Sequence, residues 1–243
     1  MTLLEVSDLC KRYPDGTREL AVLNDVSFEM FEEDFVGLWG MRRSGKSTLM
    51  RILAGIELPD SGSVRLDDVE LTTLAPDPRA RLLRSRVGLA SFGWPVHRNR
   101  SVCEHVALAA SADYRMTGKK ARVLARRALH RLTVADCAEQ PLAQLSLNEQ
   151  IRVELARAIV REPRLLLVDD PPALQGLSEN TELHELLSSL GEESGRAMLV
   201  AACDTGPVQS AQRTMALGHG RLRSMDSPGK ILSFPDRIGT GGS

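Results

Sequence analysis

No stretch of this chain approaches the roughly eighteen consecutive apolar residues that a membrane-spanning helix needs, so the sequence offers no span. An excess of charge of either sign is also missing. Lys and Arg total 31 against 32 Asp and Glu, net −1, so no global field directs the chain toward nucleic acid. Cysteines are few and scattered: Cys10, Cys103, Cys137 and Cys203. None forms a C-x-x-C pair, which argues against a disulfide framework or a zinc site and for reduced thiols in a cytoplasmic protein. The first residues lack the basic start and long apolar core of a secretory signal, and read instead as a strand. Aromatics are scarce, with five Phe, two Trp and two Tyr, so each placed ring invites a role. There are no internal repeats. A length of 243 residues suits one α/β domain with a full core and an inserted part.

What is present centres on Gly40-Met41-Arg42-Arg43-Ser44-Gly45-Lys46-Ser47, followed by Thr48. It fits the phosphate-loop pattern G-x-x-x-x-G-K-[ST]. The context fits too. Phe35–Trp39 is a short apolar run that reads as a buried strand, and residues 47–54 read as a helix closed by Gly55. Glycines let backbone wrap a phosphate, and the N–H groups of the helix start point at it. Lys46 is then the partner of the β- and γ-phosphates, and the Ser47 hydroxyl a ligand of Mg²⁺.

Residues 3–9 and 22–30 alternate as strands, with Val26, Phe28 and Met30 on one face and Pro14-Asp15-Gly16 as the turn between them. An antiparallel sheet therefore precedes the phosphate-loop strand. Pro59–Gly62 is a further turn, residues 63–66 return as a strand, residues 76–85 are charged and partly helical, and residues 87–91 form a short buried strand. From 93 to 160 the pattern turns helical: 102–112 is apolar, 119–132 basic and amphipathic, and 149–160 a further helix. Ala121, Val123, Leu124, Ala128, Leu129 and Leu132 are the inward candidates of the basic helix. Its Arg/Lys face reads as a patch for anionic lipid or nucleic acid, or as a solvated helix face. The lack of interleaved aromatics favours the latter.

Arg164–Asp170 returns to a β pattern, an apolar run ending in two carboxylates. That ending places Asp169 at the carboxyl edge of a parallel sheet, opposite Ser47, where it would hold Mg²⁺. Residues 197–202 and 214–217 are further buried strands, Gly218-His219-Gly220 is a turn before Arg221-Leu222, and the tail from 227 is polar and expected to be disordered.

Leu145-Ser146-Leu147-Asn148-Glu149-Gln150 and the helical run that follows to Ile159 resemble the signature helix of ATP-binding cassette (ABC) ATPases, usually L-S-G-G-Q or L-S-G-G-E-Q. The resemblance covers about residues 3–226. Gly55, Pro59 and Gly62 match the family's stretch after the phosphate helix, and Leu165–Pro171 its Walker B strand. Residues 13–16 and 86–88 are similar to the subgroup serving lipoprotein-release, macrolide-export and cell-division systems. The resemblance implies a single ABC ATP-binding domain with a RecA-like phosphate-loop α/β core, about 1–92 and 161–226. It implies an N-terminal antiparallel β part, an inserted helical subdomain over about 93–160, and a tail from 227. It also implies that Tyr13 stacks on adenine, with ATP and Mg²⁺ as ligands and an integral membrane permease as partner. Pairing would be as a homodimer or a heterodimer with a second ABC ATPase, without nucleic acid, on the inner face of the cell membrane.

Departures from that pattern cluster. Phe92 stands for the Q-loop glutamine that touches Mg²⁺ and the attacking water. Leu147 and Asn148 replace the two signature glycines. Asp170 replaces the glutamate that polarises water, one methylene short. Pro172–Gly176 replace the usual D-loop, and Cys203 the switch histidine. Arg42 and Arg43 replace small residues in the phosphate loop, either lending charge to a nucleotide or pointing to solvent. Together the changes imply an ATP-binding subunit with weak hydrolysis. The alternative is a non-catalytic regulatory module using ATP as a structural ligand. An unrelated phosphate-loop enzyme, such as a small-molecule kinase, is disfavoured by the signature helix.

Overall fold

The computed structural model describes residues 1–92, 100–111, 116–171, 181–192, 195–203 and 211–225, without the side chains of 181–184. Strands β1 (Thr2–Asp15) and β2 (Arg18–Phe31) form an antiparallel hairpin. Both run beyond the ranges expected from alternation, because register shifts at Val6/Leu9, Leu9/Lys11 and Lys11/Arg12 break the period of two. The turn is correspondingly later: Pro14 and Asp15 belong to β1, and Gly16 turns the chain at φ 61. Strands β3 (Phe35–Trp39), β4 (Ser61–Leu66) and β5 (Val69–Glu70) follow. β4 and β5 join the hairpin in a four-stranded sheet of order β2-β1-β4-β5.

A second sheet holds β3 with β6 (Val87–Ser91), β7 (Leu165–Asp169), β8 (Ala197–Ala202), β9 (Arg213–Gly218) and β10 (Arg221–Met225). Its order is β10-β9-β3-β8-β7-β6, parallel except for the β9–β10 edge pair. Burial on both faces explains why these strands read as continuous apolar runs. Leu166, Val168, Met198 and Val200 face one core, while Leu165, Leu167, Ala197, Leu199 and Ala201 face the other.

The second core is closed by the N-terminal sheet and by α1 (Lys46–Leu53). The first is closed by α3 (Val102–Ala110), α4 (Gly118–Arg131) and α5 (Leu147–Ile159), which lie between β6 and β7 in the chain. Helices α2 (Pro76–Arg86) and α6 (Thr181–Glu192) and two 3-10 turns (Ala135–Cys137, Leu142–Gln144) complete the described elements, and α6 was not expected from the sequence. On α4, Ala121, Ala125, Ala128 and Leu129 are buried, as is Leu132 at its C-cap. Val123, expected inside, is 47 % exposed, because it lies two residues, about 200°, from Ala121 around the helix.

Helix α1 ends with a left-handed Gly55, φ 67. Gly55 N–H donates to Ile52 O at 2.9 Å and Ile56 N–H to Arg51 O at 2.9 Å, which satisfies the last carbonyls in a Schellman arrangement. A Cβ at Gly55 would overlap the buried Leu83 side chain. Gly55→Ala should therefore destabilise the fold by about 1–2 kcal/mol, from backbone strain and displaced packing together. Denaturant titration would measure it, and an unchanged midpoint would refute the argument.

Candidate nucleotide-binding site

Parallel pairing sets the site. Trp39 is in register with Ala202, and Ala201 with Asp169, so the carboxyl ends of β3, β8 and β7 share one sheet edge. Gly40 N–H donates to Ala202 O at 3.2 Å and Asp170 N–H to Ala201 O at 3.0 Å, extending that edge by one residue. The residues after the strands (the phosphate loop, Cys203 and Asp170) are thereby neighbours, although up to 163 positions separate them in the chain. In open α/β sheets this is the edge where ligands bind.

The loop has the form of an anion cradle. Gly45 caps α1 at φ 105, with no side-chain cap and no acidic residue in the first turn, so the helix-start N–H groups lack side-chain partners. A Cβ at Gly40 would lie 2.5 Å from Leu217 O and 2.6 Å from Ser44 Oγ. The Ser44 hydroxyl is buried without a hydrogen-bond partner. An unmade bond in a buried place is costly unless a ligand makes it. These features fit a bound phosphate. Met41, Arg42 and Arg43 lie exposed at the loop's outer side, and Arg43 takes a left-handed backbone, φ 63. Thr48 is buried in the first turn of α1.

Lys46 is buried, 4 % exposed, and its ammonium donates to Gly40 O at 2.7 Å, Met41 O at 3.0 Å and Cys203 Sγ at 3.4 Å. Ser47 Oγ donates to Asp169 Oδ1 at 3.1 Å. The two groups expected to share Mg²⁺ are therefore in contact. Burial pushes the Asp169 carboxyl up, the Ser47 hydrogen bond opposes this, and the neighbouring charge of Asp170 adds to the rise. A divalent cation would relieve that cost, so the donor pair suits a hard metal ion.

Asp170 does not project freely. Its carboxylate accepts from Cys203 N–H at 3.0 Å and from the Cys203 thiol at 3.0 Å, with its own φ at 51. Burial, then the Asp170 contact, pushes the Cys203 thiol up, so the thiol form that donates is favoured. Sequence reasoning singled out both residues but not their contact. The signal for it was that both residues directly follow strands, β7 and β8, which the apolar runs already suggested as neighbours in one parallel sheet.

Ser146 caps α5, which starts two residues earlier than expected. Glu149 N–H donates to Ser146 Oγ at 3.4 Å, and Ser146 N–H and Oγ donate to Glu149 Oε2 at 2.8 and 2.7 Å, a reciprocal capping box. Leu147 opens the helix and is 52 % exposed. Phe92 is partly buried against the core that includes α3–α5. Tyr13 is bonded to Glu57 and Arg51, a network the sequence did not suggest. Pro172–Gly176 and Asp204 lie outside the described residues.

A strand, a glycine loop and an uncapped helix start, facing a strand-end carboxylate, define a phosphate-loop nucleotide-binding protein. The family model described as ABC transporter matches residues 23–173. The chain belongs to the ABC transporter family and carries its ATP-binding cassette. It is 31 % identical over 221 residues to the macrolide export ATP-binding/permease protein MacB of Syntrophobacter fumaroxidans, covering 90 % of this chain and 31 % of that protein. The chain thus spans about a third of the curated relatives it matches. Among solved structures, the dimeric bacterial ABC transporter cassette MJ0796 superposes with a TM-score of 0.83 at 26 % identity, covering 96 % of this chain and 100 % of the other. The same cassette in a post-hydrolysis state bound to ADP and Pi matches equally, at 0.83 and 26 %, with the same 96 % and 100 % coverage.

Proposed function

We propose that this chain is the nucleotide-binding subunit of an ABC-type transport complex that binds Mg-ATP and hydrolyses it weakly. The observation that carries the reading is the Ser47–Asp169 contact at 3.1 Å beside an uncapped α1 start. Lys46, the loop N–H groups, Ser44 and Thr48 would hold the phosphates, and Tyr13 would stack on the adenine. Ser47 and Asp169 would hold Mg²⁺, which neutralises charge on the β- and γ-phosphates when bound. An integral membrane permease is the partner, at the inner face of the cell membrane. No described helix is long and apolar enough to cross a membrane. The MacB relative carries ATP-binding and permease functions in one protein.

A second reading, a regulatory module with ATP as a structural ligand, draws support from Asp170, whose carboxylate is taken up by Cys203.

Assembly tests the proposal. Head-to-tail closure would set each phosphate loop against the partner's signature helix, as the family's dimers do. In a homodimer both sites would meet Leu147-Asn148 and lack the usual Gln, Glu and His. With an intact paralogue, one site would keep a full catalytic set against this chain's altered signature. Co-expression with the membrane subunit and any neighbouring ATPase, followed by native mass spectrometry, should return one copy of this chain with one of the paralogue. A stable homodimer driving transport, lost on Lys46→Ala, would overturn the heterodimer and the weak catalysis together.

A further inference from the structure

Tyr13 lies near the end of β1, and its hydroxyl does not end in solvent. It donates to Glu57 Oε1 at 2.6 Å and accepts from Arg51 Nη2 at 3.2 Å. Arg51 Nε donates to Glu57 Oε2 at 3.2 Å, and Arg51 Nη2 also reaches Thr48 Oγ1 at 3.2 Å. Lys11, two residues back on the same face of β1, places its ammonium 3.5 Å from Glu57 Oε1 and 3.0 Å from Asp60 Oδ1. The same ammonium lies 5.6 Å from the Tyr13 ring centroid. Burial alone would raise the Glu57 carboxyl. The hydrogen bonds from Tyr13 and Arg51, with the charges of Arg51 and Lys11, outweigh it and hold Glu57 below its ordinary value. Glu57 is therefore an ionised acceptor at neutral pH.

A tyrosine on a strand has two side-chain torsions, and an unanchored ring samples several orientations. Here the ring is held at both ends, by β1 at its Cβ and by Glu57 and Arg51 at its hydroxyl. Lys11 takes a position over the ring, and a planar base needs only one ring face. Neither Glu57 nor Arg51 belongs to the phosphate loop. Arg51 comes from the end of α1, and Glu57 from the turn after it, placed there by the Gly55 reversal.

We propose that Glu57 and Arg51 are positioning residues that set the plane of the Tyr13 ring, and through it the contribution of the nucleobase to nucleotide affinity. The inference rests on the nucleotide reading above. Because Arg51 also holds Thr48, the relay ties the base platform to the first turn of the phosphate helix. Loss of the relay costs the base-dependent part of binding and leaves the phosphate-dependent part in place.

The test is calorimetry on the full chain with two ligands, Mg-ATP and Mg-tripolyphosphate, the second lacking base and ribose. Glu57→Ala should weaken ATP about tenfold, within the range that a lost base–aromatic stack produces, and leave tripolyphosphate unchanged. Tyr13→Phe should do the same, since it keeps the ring and removes its anchor. Glu57→Gln should retain most of the ATP affinity, because its amide oxygen still accepts from the tyrosine. Unchanged tripolyphosphate binding also reports that each variant keeps a folded loop. Three results would overturn the proposal: Glu57→Ala binding ATP as the unmutated chain does, equal losses for both ligands, or Glu57→Gln failing as badly as Glu57→Ala. If the unmutated chain binds neither ligand, the nucleotide reading falls and the relay with it. If it binds both with equal affinity, the base contact falls and this proposal with it, while the phosphate site stands.

Discussion

Lys46→Ala should lower ATP affinity by on the order of 10²-fold, the largest single-site effect on binding expected in this chain. The side chain is buried, and its three partners are all acceptors clustered at the sheet edge: two loop carbonyls and the Cys203 sulfur. The ammonium is therefore held beside the cradle whether or not a phosphate is present, and little ordering remains to be done on binding. Charged hydrogen bonds to phosphate are worth about 1.5–3 kcal/mol each. Loss of one or two accounts for the predicted factor. Alanine also leaves the Gly40 and Met41 carbonyls without their donor, so some loss of thermal stability should accompany it. Calorimetry of both proteins at matched temperature separates the two effects. Affinity for ATP within about threefold of the unmutated chain would remove Lys46 from the binding site, since a lost charged hydrogen bond costs more than that.

The second expectation concerns turnover. The unmutated chain should hydrolyse ATP well below about 1 s⁻¹, the lower end of ordinary enzyme rates. Asp170 is a methylene shorter than a glutamate, and both its oxygens already accept bonds from Cys203. A carboxylate so engaged is poorly placed to orient water, and misplacement by about 1 Å can cost on the order of 10²-fold. The Cys203 thiol, raised by burial and by Asp170, stays neutral and offers no charge to a γ-phosphate. Phe92 packs against the core under the helices instead of reaching a metal.

These positions are coupled, so single reversions should do little. Asp170→Glu alone drives a longer carboxylate into the thiol. Cys203→His alone meets a carboxylate that is too short. The triple change Phe92→Gln, Asp170→Glu, Cys203→His should raise the rate by on the order of 10²-fold. Phe92→Gln gives up apolar packing, so the assay belongs below the variant's unfolding range. Steady-state phosphate release decides the matter. Ordinary rates from the unmutated chain would refute weak catalysis. A triple variant no faster than its parent would show that the defect lies elsewhere, with Leu147 and Asn148 as the remaining altered contacts.

Much of the chain was legible from local pattern. Continuous apolar runs read as parallel strands because both faces of the large sheet are buried, and 87–91, 165–169 and 197–202 emerged at or within a residue of their expected bounds. The loop of Gly40–Ser47 and the meeting of Ser47 with Asp169 were legible as a candidate site because glycine spacing and a strand-end carboxylate are visible in the residues themselves. The N-terminal strands were only partly legible, since their bulges break the alternation on which the reading depends. On α4, Val123 misled because apolar character says nothing about which way a helical side chain points. The period of the helix decides that, and it chose Ala125 instead.

The sequence by itself pointed to candidate groups, the cradle of Gly40–Ser47, the ammonium of Lys46 and the strand-end carboxylate of Asp169, and the family resemblance added Asp170 and Tyr13. The first three follow from residue type and local spacing, which act over a few bonds. Only the tertiary structure decided what those groups are bonded to. Cys203 reaches Asp170 because β8 lies between β3 and β7, and Glu57 reaches Tyr13 because Gly55 reverses the chain at the end of α1. Hydrogen bonds and ion pairs act over about 3 Å in space whatever the separation along the chain, so their partners are set by strand order and helix ends, which no local pattern encodes.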